Sequence, residues 1–225
     1  MGTAGERGRF VVFEGGESVG KSTQAALLAE SRGADVTAEP GTLFQPSLFA
    51  QRVEMTFEPG RTLLGQELRR LLLSYARGRL DALTEAFLMA ADRAQHVAET
   101  IRPALLAGRD VVCDRYIGSS LAYQGFGRGI DVEVVRQLSE IATGGLWPDL
   151  VILLDMDPEQ AWRRGSAGDD RFEALDMDFH RRVRQGYLDL AKEDPTCWAV
   201  INADRSLEEV RDDIAALVAE RLGWA

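Results

Sequence analysis

The stretch from Arg9 to Gln24, RFVVFEGGESVGKSTQ, constrains the fold of this chain more than any other. Its run of aromatic and β-branched residues, Phe10–Phe13, predicts a buried strand. The strand leads into the P-loop pattern G-x-x-x-x-G-K-[ST] at residues 15–22, where glycines let the backbone curl around phosphate oxygens. A helix predicted from about residue 21 points its positive end at the same anion. A chance glycine-rich turn would not explain strand, loop and helix in this order. The residues predicted to bind a nucleotide phosphate are Gly15, Gly16, Glu17, Ser18, Val19, Gly20, Lys21, Ser22 and Thr23.

Length and charge narrow the class of protein further. The 225 residues suit one α/β domain, and the formal charge of −10 argues against binding to a nucleic-acid backbone. Cys113 and Cys197 are the two cysteines, and they suggest neither a disulfide framework nor a metal site. No apolar run reaches the ~18 residues of a membrane span, and the N-terminus lacks the apolar core of a signal peptide. We therefore expect a cytoplasmic enzyme with no membrane partner.

Strand-like and helical patterns alternate along most of the chain, which predicts βαβ crossovers and a five-stranded parallel sheet covered by helices on both faces. The stripe Phe87, Ala90, Ala94, Val97 and Ile101 predicts a core-facing side for the longest helix. Ligands of such sheets bind beyond the carboxyl ends of the strands. The predicted strands are 9–14, 53–57, 110–114, 150–155 and 197–202, and the predicted helices are 21–32, 64–73, 82–107, 131–143, 158–164, 176–193 and 206–221.

Residues 34–52 interrupt this alternation and are interpreted as an insertion. The segment Thr37–Gly41 (TAEPG) nearly repeats Thr56–Gly60 (TFEPG). A local duplication and a coincidence both explain the repeat. Glycine, proline and scattered apolar residues indicate an irregular surface excursion rather than another core element.

Two acidic residues are candidates for binding Mg²⁺ or orienting a phosphate. Asp114 follows the short apolar run Val111–Cys113, and an aspartate at such a strand end can hold Mg²⁺ together with the P-loop Ser22. The alternative is a structural cap at the strand end. Glu17 could orient Mg²⁺ or an acceptor phosphate, or it could be a solvated loop residue.

A second cluster of positive charge surrounds a glycine-bearing loop. Arg163, Arg164 and Arg171 bracket the residues GSAGDD at 165–170. Such a loop could close over a transferring phosphoryl group and neutralise its oxygens. An exposed loop whose charges face water explains the same pattern.

No general base is evident in the sequence, which has only two histidines. A hydroxyl acceptor benefits from a base, whereas a phosphate monoester is mostly dianionic at pH 7 and needs none. The scarcity of histidine therefore favours a nucleoside monophosphate as acceptor.

Several long runs resemble those of the thymidylate kinase family, in the same order and over nearly all of the chain outside 34–52. They are FEGGESVGKSTQ at 13–24, TFEPGRTLLGQELRRLLL at 56–73, ADRAQHVAETIRPAL at 91–105, DRYIGSSLAYQG at 114–125 and DRFE at 170–173. The resemblance implies a three-layer P-loop kinase fold with a lid at about 163–172 in a single domain, 1–225. It also implies transfer of a phosphoryl group from ATP to dTMP, with Mg²⁺ as cofactor.

The resemblance also assigns roles to single residues. Arg93, Ser120 and Gln124 would contact thymine, Tyr123 would lie near the deoxyribose and disfavour a 2′-hydroxyl, and Phe57 would pack on the thymine side. Arg115 would hold the dTMP phosphate, and Asp114 with Ser22 would serve Mg²⁺. Lys21 would bind the ATP phosphates, and residues 202–205 would flank adenine. Pro59, Arg61 and Ser119 complete the expected acceptor site, while Glu17, Lys21, Arg115 and Arg164 are the expected catalytic residues.

Two places depart from the family pattern. Relatives usually carry Arg-Glu-Pro-Gly-Gly-Thr where this chain has Phe57 followed by Glu-Pro-Gly and then Arg61. Arg61 could still reach the acceptor phosphate from the other side of the turn. The second departure is Ser18, which occupies the place where one subgroup carries a P-loop arginine. The other subgroup supplies that arginine from the lid, which makes Arg164 the best candidate here, with Arg163 and Arg171 in support.

Three functions remain open at this stage. The first is a dTMP kinase, the second a related kinase for another acceptor such as dUMP or a deoxynucleoside, and the third an inactive nucleotide-binding protein. Family members are commonly homodimers, so we expect a homodimer, although the apolar stripe of residues 82–107 would equally serve an intramolecular core.

Overall fold

The computed structural model of the chain describes residues 7–34, 52–74, 80–165, 172 and 175–224. Nearly all of the predicted insertion at 34–52 and most of the predicted lid at 163–172 lie outside these residues, as does Arg171.

A five-stranded, all-parallel sheet forms the centre of the molecule, in the order β2-β3-β1-β4-β5. This confirms the predicted α/β class. Strand β1 lies in the middle, between β3 and β4, so the loop that follows it opens at the centre of the carboxyl edge. The strands are β1 Phe10–Gly15, β2 Val53–Phe57, β3 Asp110–Asp114, β4 Leu150–Asp155 and β5 Trp198–Asn202.

The helices lie on both faces of the sheet. They are α1 Lys21–Ser31, α2 Leu63–Ser74, α3 Ala82–His96, α4 Arg102–Leu106, α5 Ile117–Ser120, α6 Val132–Thr143, α7 Pro158–Arg164, α8 Met177–Glu193 and α9 Leu207–Leu222. Two π-helical segments, Val97–Ile101 and Leu121–Gly127, continue α3 and α5 respectively. None of these helices combines the length and apolarity needed to cross a membrane.

Successive side chains of β1 pack into hydrophobic cores on opposite faces of the sheet, because side chains alternate along a strand. Val11 and Phe13 pack with α1 and α9, whereas Phe10 and Val12 pack on the opposite face with the π-helical segment 97–101 and α5. The sheet is therefore the middle of three layers. Burial on both faces explains why β1 and β4 read as continuous apolar runs rather than alternating ones.

Two helical regions differ from the sequence prediction. The helix predicted at 82–107 is interrupted by the π-helical segment at 97–101, and Phe87 is 55% exposed, so its predicted place in the core is wrong. Ala90, Val97 and Ile101 of the same stripe are buried as predicted. No helix was predicted at 117–127, where α5 and the second π-helical segment run.

Candidate active site

The loop after β1 has a backbone that its glycines make possible. Gly15 has φ +143°, and a Cβ there would lie 2.5 Å from the carbonyl oxygen of Leu154 on β4. Gly20, which precedes α1, has φ +94°. Ser18 adopts a left-handed conformation with φ +56°, which is uncommon for a residue with a side chain. The P-loop is thus held in a strained, fixed shape between β1 and α1.

Lys21, the first residue of α1, is buried and turned back over the loop. Its ammonium group donates a close hydrogen bond to the carbonyl oxygen of Gly16. Burial and the neighbouring charge of Arg115 lower the pKa of Lys21 to about 8, although Glu17 and Asp114 oppose the shift. An added anion such as a phosphate would stabilise the charged form of this lysine.

Ser22 and Asp114 meet at the start of α1 and the end of β3. The Ser22 hydroxyl donates a close hydrogen bond to Asp114 Oδ2. Asp114 Oδ1 is buried and has no hydrogen-bond partner among the residues that the structure describes. A hydroxyl beside a carboxylate with an unused oxygen is a donor set that suits Mg²⁺, which prefers one or two protein oxygens and completes its shell with phosphate and water. No larger group of histidine, cysteine or acidic side chains suited to a metal occurs in the described segments.

Glu17 joins the P-loop to the end of β3. Its carboxylate accepts a hydrogen bond of 2.8 Å from Arg115 Nη2 and another from the Tyr123 hydroxyl. Burial alone would raise the pKa of Glu17, but the charges of Arg115 and Lys21 lower it to about 2. Glu17 is therefore an anion between two cations rather than a solvated loop residue.

Arg115 is held in one position by the elements around it. Its backbone has φ +69°, a second left-handed residue without glycine's freedom. Nη1 donates to the carbonyl oxygen of Gly15 at 3.1 Å and to Ser119 Oγ at 3.2 Å. The guanidinium carbon lies 5.2 Å from the centre of the Tyr123 ring. Although burial opposes its charge, Glu17 keeps the pKa of Arg115 well above the ordinary value.

Glu14, the fifth residue of β1, holds the segment that follows Arg115 in place through several hydrogen bonds. It is fully buried and accepts hydrogen bonds from the backbone N–H groups of Tyr116 and Ser119, both at 3.0 Å. It also accepts from Ser119 Oγ at 2.6 Å and from the Tyr187 hydroxyl at 3.1 Å. Burial raises the pKa of Glu14, against the effect of these hydrogen bonds. The carboxylate fixes the start of α5 and hence the segment that carries Tyr123 and Gln124.

A cavity opens next to the P-loop, and we call it the acceptor cavity. Glu17 and Arg115 form its P-loop side. Met89, Leu73 and Phe172 add apolar surface, while Glu58 and Arg69 add charge. The structure thus places all the predicted acceptor residues on this cavity except Phe57 and Arg61. The predicted residues that line it are Pro59, Arg93, Arg115, Ser119, Ser120, Tyr123 and Gln124.

Arg93 also lines the acceptor cavity and is 2% exposed. Its Nε donates to Glu58 Oε2 at 2.9 Å, and Nη2 donates to Tyr116 O at 2.9 Å and Ser120 Oγ at 3.0 Å. The other oxygen of Glu58 lies 2.9 Å from His96 Nδ1. These three hydrogen bonds of Arg93 fix the guanidinium plane, so Arg93 presents its donors at a defined place.

Tyr123 forms a rigid aromatic wall of the acceptor cavity. Its ring makes edge-to-face contacts with Phe172, Phe179 and Tyr187, with centroids 5.9, 6.0 and 6.4 Å away. Its hydroxyl is held by Glu17. Because the ring is fixed on several sides, it can exclude a ligand group by its position alone.

Comparison with known proteins identifies the family. The family model described as thymidylate kinase matches residues 13–214. The chain is 44% identical over 216 residues to the thymidylate kinase of Symbiobacterium thermophilum, covering 95% of this chain and 94% of the relative. It is 46% identical over 213 residues to that of Desulfovibrio desulfuricans, covering 89% and 90%. The chain belongs to the thymidylate kinase family. A crystal structure of thymidylate kinase from Ehrlichia chaffeensis superposes with a TM-score of 0.74 at 31% identity, over 94% of this chain and 99% of that one.

The turn after β2 departs from the thymidylate kinase pattern at Phe57 and Arg61. Phe57 lies outside the lining of the acceptor cavity, and Arg61 pairs with Glu54 at 3.6 Å. Arg69 of α2, which the sequence did not single out, lines the cavity instead. Its Nη1 donates to Pro59 O at 2.7 Å, and its guanidinium carbon lies 6.0 Å from the Phe57 ring centre. Arg69 therefore brings positive charge to the side where thymidylate kinases usually carry arginine at the place of Phe57.

Gly165, the residue after α7, lies directly against the P-loop. A Cβ on Gly165 would lie 2.0 Å from Ser18 Oγ, so only glycine fits at that contact. The guanidinium group of Arg164 donates to Ala203 O at 2.8 Å and Asp204 Oδ1 at 2.9 Å. The predicted lid arginine thus lies against the loop that was predicted to flank adenine. Its role in transfer stays a prediction.

Three residues that shape the thymidylate kinase site were missing from the sequence prediction: Glu14, Glu58 and Arg69. Glu14 could have been noticed as an acid inside an otherwise apolar strand, since a buried carboxylate needs partners. Glu58 lies in the quoted Glu-Pro-Gly run. Arg69 gives no local signal, because exposed arginines on amphipathic helices are common.

Proposed function

We propose that this protein is a dTMP kinase, which transfers the γ-phosphoryl group of ATP to dTMP to give dTDP and ADP in dTTP biosynthesis. The observation that carries the proposal is the contact between Glu17 and Arg115. This contact joins the P-loop to a cavity whose lining suits a pyrimidine nucleotide. The donor phosphate site and the acceptor phosphate site are therefore neighbours, with Glu17 and Arg115 between them. Family membership supports ATP as the donor.

On the donor side, the P-loop backbone and Lys21 bind the ATP phosphates. Gly15, Gly20 and the left-handed Ser18 give the loop its curl, and Lys21 is already placed over it. Ser22 and Asp114 would hold Mg²⁺, which would neutralise charge on the phosphate oxygens when bound. The unused Asp114 oxygen supports this assignment.

On the acceptor side, Arg93 donates to a carbonyl oxygen of thymine, while Ser120 and Gln124 add polar contacts to the base. Tyr123, whose ring is fixed, lies near the deoxyribose and disfavours a 2′-hydroxyl by collision. Arg115 binds the dTMP phosphate, and Arg69 adds a second positive charge to the same cavity. Phe57 and Arg61 lie outside this lining and are not needed for the proposal.

The chemistry requires no base from the protein. A phosphate monoester with a second pKa near 6 is mostly dianionic at pH 7, and its oxygen attacks without losing a proton. Positioning and charge neutralisation then account for catalysis. Glu17 acts as a positioning group, because it holds Arg115 between the two phosphate sites.

The remaining assignments concern the lid, adenine, assembly and location. For Arg164 to reach the γ-phosphate, its bonds to Ala203 and Asp204 must break as the lid, residues 163–172, closes. Residues 202–205 would then flank adenine. We also propose that the protein is cytoplasmic and forms a homodimer. The dimer is supported by α2 and α3, which expose apolar side chains at 40–55%, namely Leu64, Leu71, Leu83 and Phe87. Sedimentation of the protein with Phe87→Asp tests the dimer.

Coupled measurement of ADP release with dTMP as acceptor tests the function. Lys21→Ala is expected to lower turnover by on the order of 10²–10³-fold, since it removes a charge that clamps the phosphates. The chain has only two lysines, so Lys192→Ala on the exposed face of α8 is a matched control that should leave turnover unchanged. Equal activity of the Lys21 variant and the unaltered protein would refute the donor assignment. Comparison of dTMP with dUMP, dCMP and thymidine tests the acceptor.

A further inference from the structure

A buried carboxylate just outside the acceptor cavity contacts one of the residues that line it. Glu85 of α3 is 0% exposed. Its Oε1 accepts a hydrogen bond of 2.9 Å from Gln124 Nε2, and Gln124 lines the cavity. Arg128 donates to both oxygens of the same carboxylate, from Nε at 3.2 Å and from Nη2 at 3.0 Å. Glu85 lies outside the cavity lining and is absent from the proposed catalytic and binding residues.

This contact decides which end of the Gln124 amide faces a ligand. A carboxylate only accepts hydrogen bonds, so the end of the amide that faces Glu85 must be the NH₂ group. The orientation of the amide therefore follows from the chemistry of its partner. The carbonyl oxygen of Gln124 is then the end left for the cavity.

The fixed carbonyl matches one pyrimidine edge and opposes another. Thymine carries an N3–H donor between two carbonyl oxygens, whereas cytosine has an N3 acceptor next to an amino group. Arg93 offers only donors and is itself held by Glu58 and Ser120. With Arg93 donating to the 4-carbonyl oxygen of thymine, Arg93 and an acceptor-only Gln124 fit thymine. The same two residues leave N3 and the amino group of cytosine each facing a like partner.

Resting on the proposed function, we propose that Glu85 is the positioning residue that sets selectivity for thymine over cytosine, by holding the NH₂ group of Gln124 out of the cavity. Arg128 anchors Glu85 and is itself fixed over the Phe179 ring, with its guanidinium carbon 5.0 Å from the ring centre. Without the carboxylate, the Gln124 amide can rotate by half a turn and offer its NH₂ group to cytosine N3.

The test compares kcat/KM for dTMP and dCMP in Glu85→Met, which keeps the side-chain volume and removes the acceptor. The ratio of the dTMP value to the dCMP value is expected to fall by at least about tenfold. The loss for dTMP should appear in KM rather than kcat, because the base is remote from the transferred group. Glu133→Met is the matched control. Glu133 accepts from the Gln137 amide in the same way at 3.1 Å, but on the exposed surface of α6, and its loss should leave the ratio unchanged.

Two further variants separate positioning from a structural role. The exchange Glu85→Gln with Gln124→Glu places an acceptor-only group at position 124 and is expected to keep the preference for dTMP within about threefold. If Glu85→Met does not fold, Glu85→Gln replaces it, with the same expected direction, because its amide accepts or donates. An unchanged ratio in a folded Glu85 variant, an equal fall for both nucleotides, or lost selectivity in the exchange variant would overturn the proposal.

Calorimetric dissociation constants for dTMP and dCMP give the same comparison without turnover. Binding with selectivity but no ADP release would contradict the proposed function and leave the role of Glu85 standing if its variant loses that selectivity. Absence of dTMP binding to the unaltered protein would overturn both.

Discussion

The free energy of unfolding should depend on pH through Asp92, a carboxylate of α3 that contacts the turn after β2. Asp92 is 1% exposed, and its Oδ1 accepts a hydrogen bond of 3.0 Å from the backbone N–H of Gly60. Burial and the nearby charge of Glu58 raise its pKa from 3.8 to about 6. A raised carboxyl pKa means that the folded protein holds the proton more tightly than the unfolded chain does. Asp92 therefore lowers the stability of the protein as the pH rises from about 4 to above 6.

The magnitude follows from the size of the shift. A change from 3.8 to about 6 corresponds to about 3 kcal/mol of stability at pH values well below 3.8, of which about 2.4 kcal/mol is still present at pH 4 and lost by pH 8. Asp92→Asn removes this titration and keeps an acceptor for the Gly60 N–H. Burying the new amide NH₂ group can cost stability, but this cost is the same at pH 4 and at pH 8 and cancels in the comparison. The difference in unfolding free energy between the variant and the unaltered protein should hence grow by about 2.4 kcal/mol in favour of the variant between pH 4 and pH 8.

Urea titrations at pH 4, 6 and 8 measure this difference. Asp178→Asn is the control, since it makes the same change of side chain at the surface of α8, where Asp178 is 76% exposed. The reasoning would be refuted if the difference in unfolding free energy between Asp92→Asn and the unaltered protein stayed constant within about 0.5 kcal/mol from pH 4 to pH 8. The Asp92 carboxyl would then titrate alike in the folded and the unfolded protein.

Three other changes test the site itself. Asp114→Asn is expected to lower turnover about 10²-fold or more and to raise the Mg²⁺ concentration needed for half-maximal rate, measured by ADP release over a Mg²⁺ titration. Glu17→Gln should lower kcat/KM for dTMP about tenfold at pH 7, because it releases Arg115 from its ion pair. Gly165→Ala should reduce kcat through collision with Ser18, and Ser18→Gly should restore part of it. No loss in either of the first two variants, or no rescue in the third, would contradict the respective assignment.

The sheet and the P-loop were predictable because their signals are local. A run such as Phe10–Phe13 is apolar on both faces, and a strand buried on both faces is what a central parallel strand requires. The P-loop residues are adjacent in the chain, so their spacing alone fixes which groups surround an anion. The strands follow the predicted positions for the same reason, with ends shifted by a residue or so.

The helical region at 117–127 could not be predicted, because its stability comes from elsewhere. Its residues include Gly118, Ser119, Ser120 and Gly125, which form helices poorly by themselves. In the folded protein, the Glu14 carboxylate accepts hydrogen bonds from the backbone N–H groups of Tyr116 and Ser119 at the start of α5. These groups would otherwise lack partners. A carboxylate 100 residues or so away in the chain thus supplies the cap, and no local pattern reports it.

The turn after β2 shows the same limit on the acceptor side. The sequence indicated that positive charge was displaced from Phe57 to Arg61, because only neighbours in the chain were compared. In the fold, Arg61 pairs with Glu54, and Arg69 reaches the cavity from the next helix. Which arginine faces a ligand depends on where the carboxylates of adjacent elements lie, and that is a tertiary property.

A protein with a net charge of −10 must concentrate positive charge to bind two anionic substrates, and the structure indicates how this is done. Arg93 and Arg115 are each paired with one carboxylate, Glu58 and Glu17 respectively. Each pair offsets the cost of burying a cation before the substrate arrives and fixes the guanidinium plane. Because Arg115 keeps Nη1 contacts only to neutral oxygens, a phosphate can approach it without displacing Glu17. The acidic residues near the site therefore orient the cations that bind phosphate, which is why overall charge alone does not reveal the substrate.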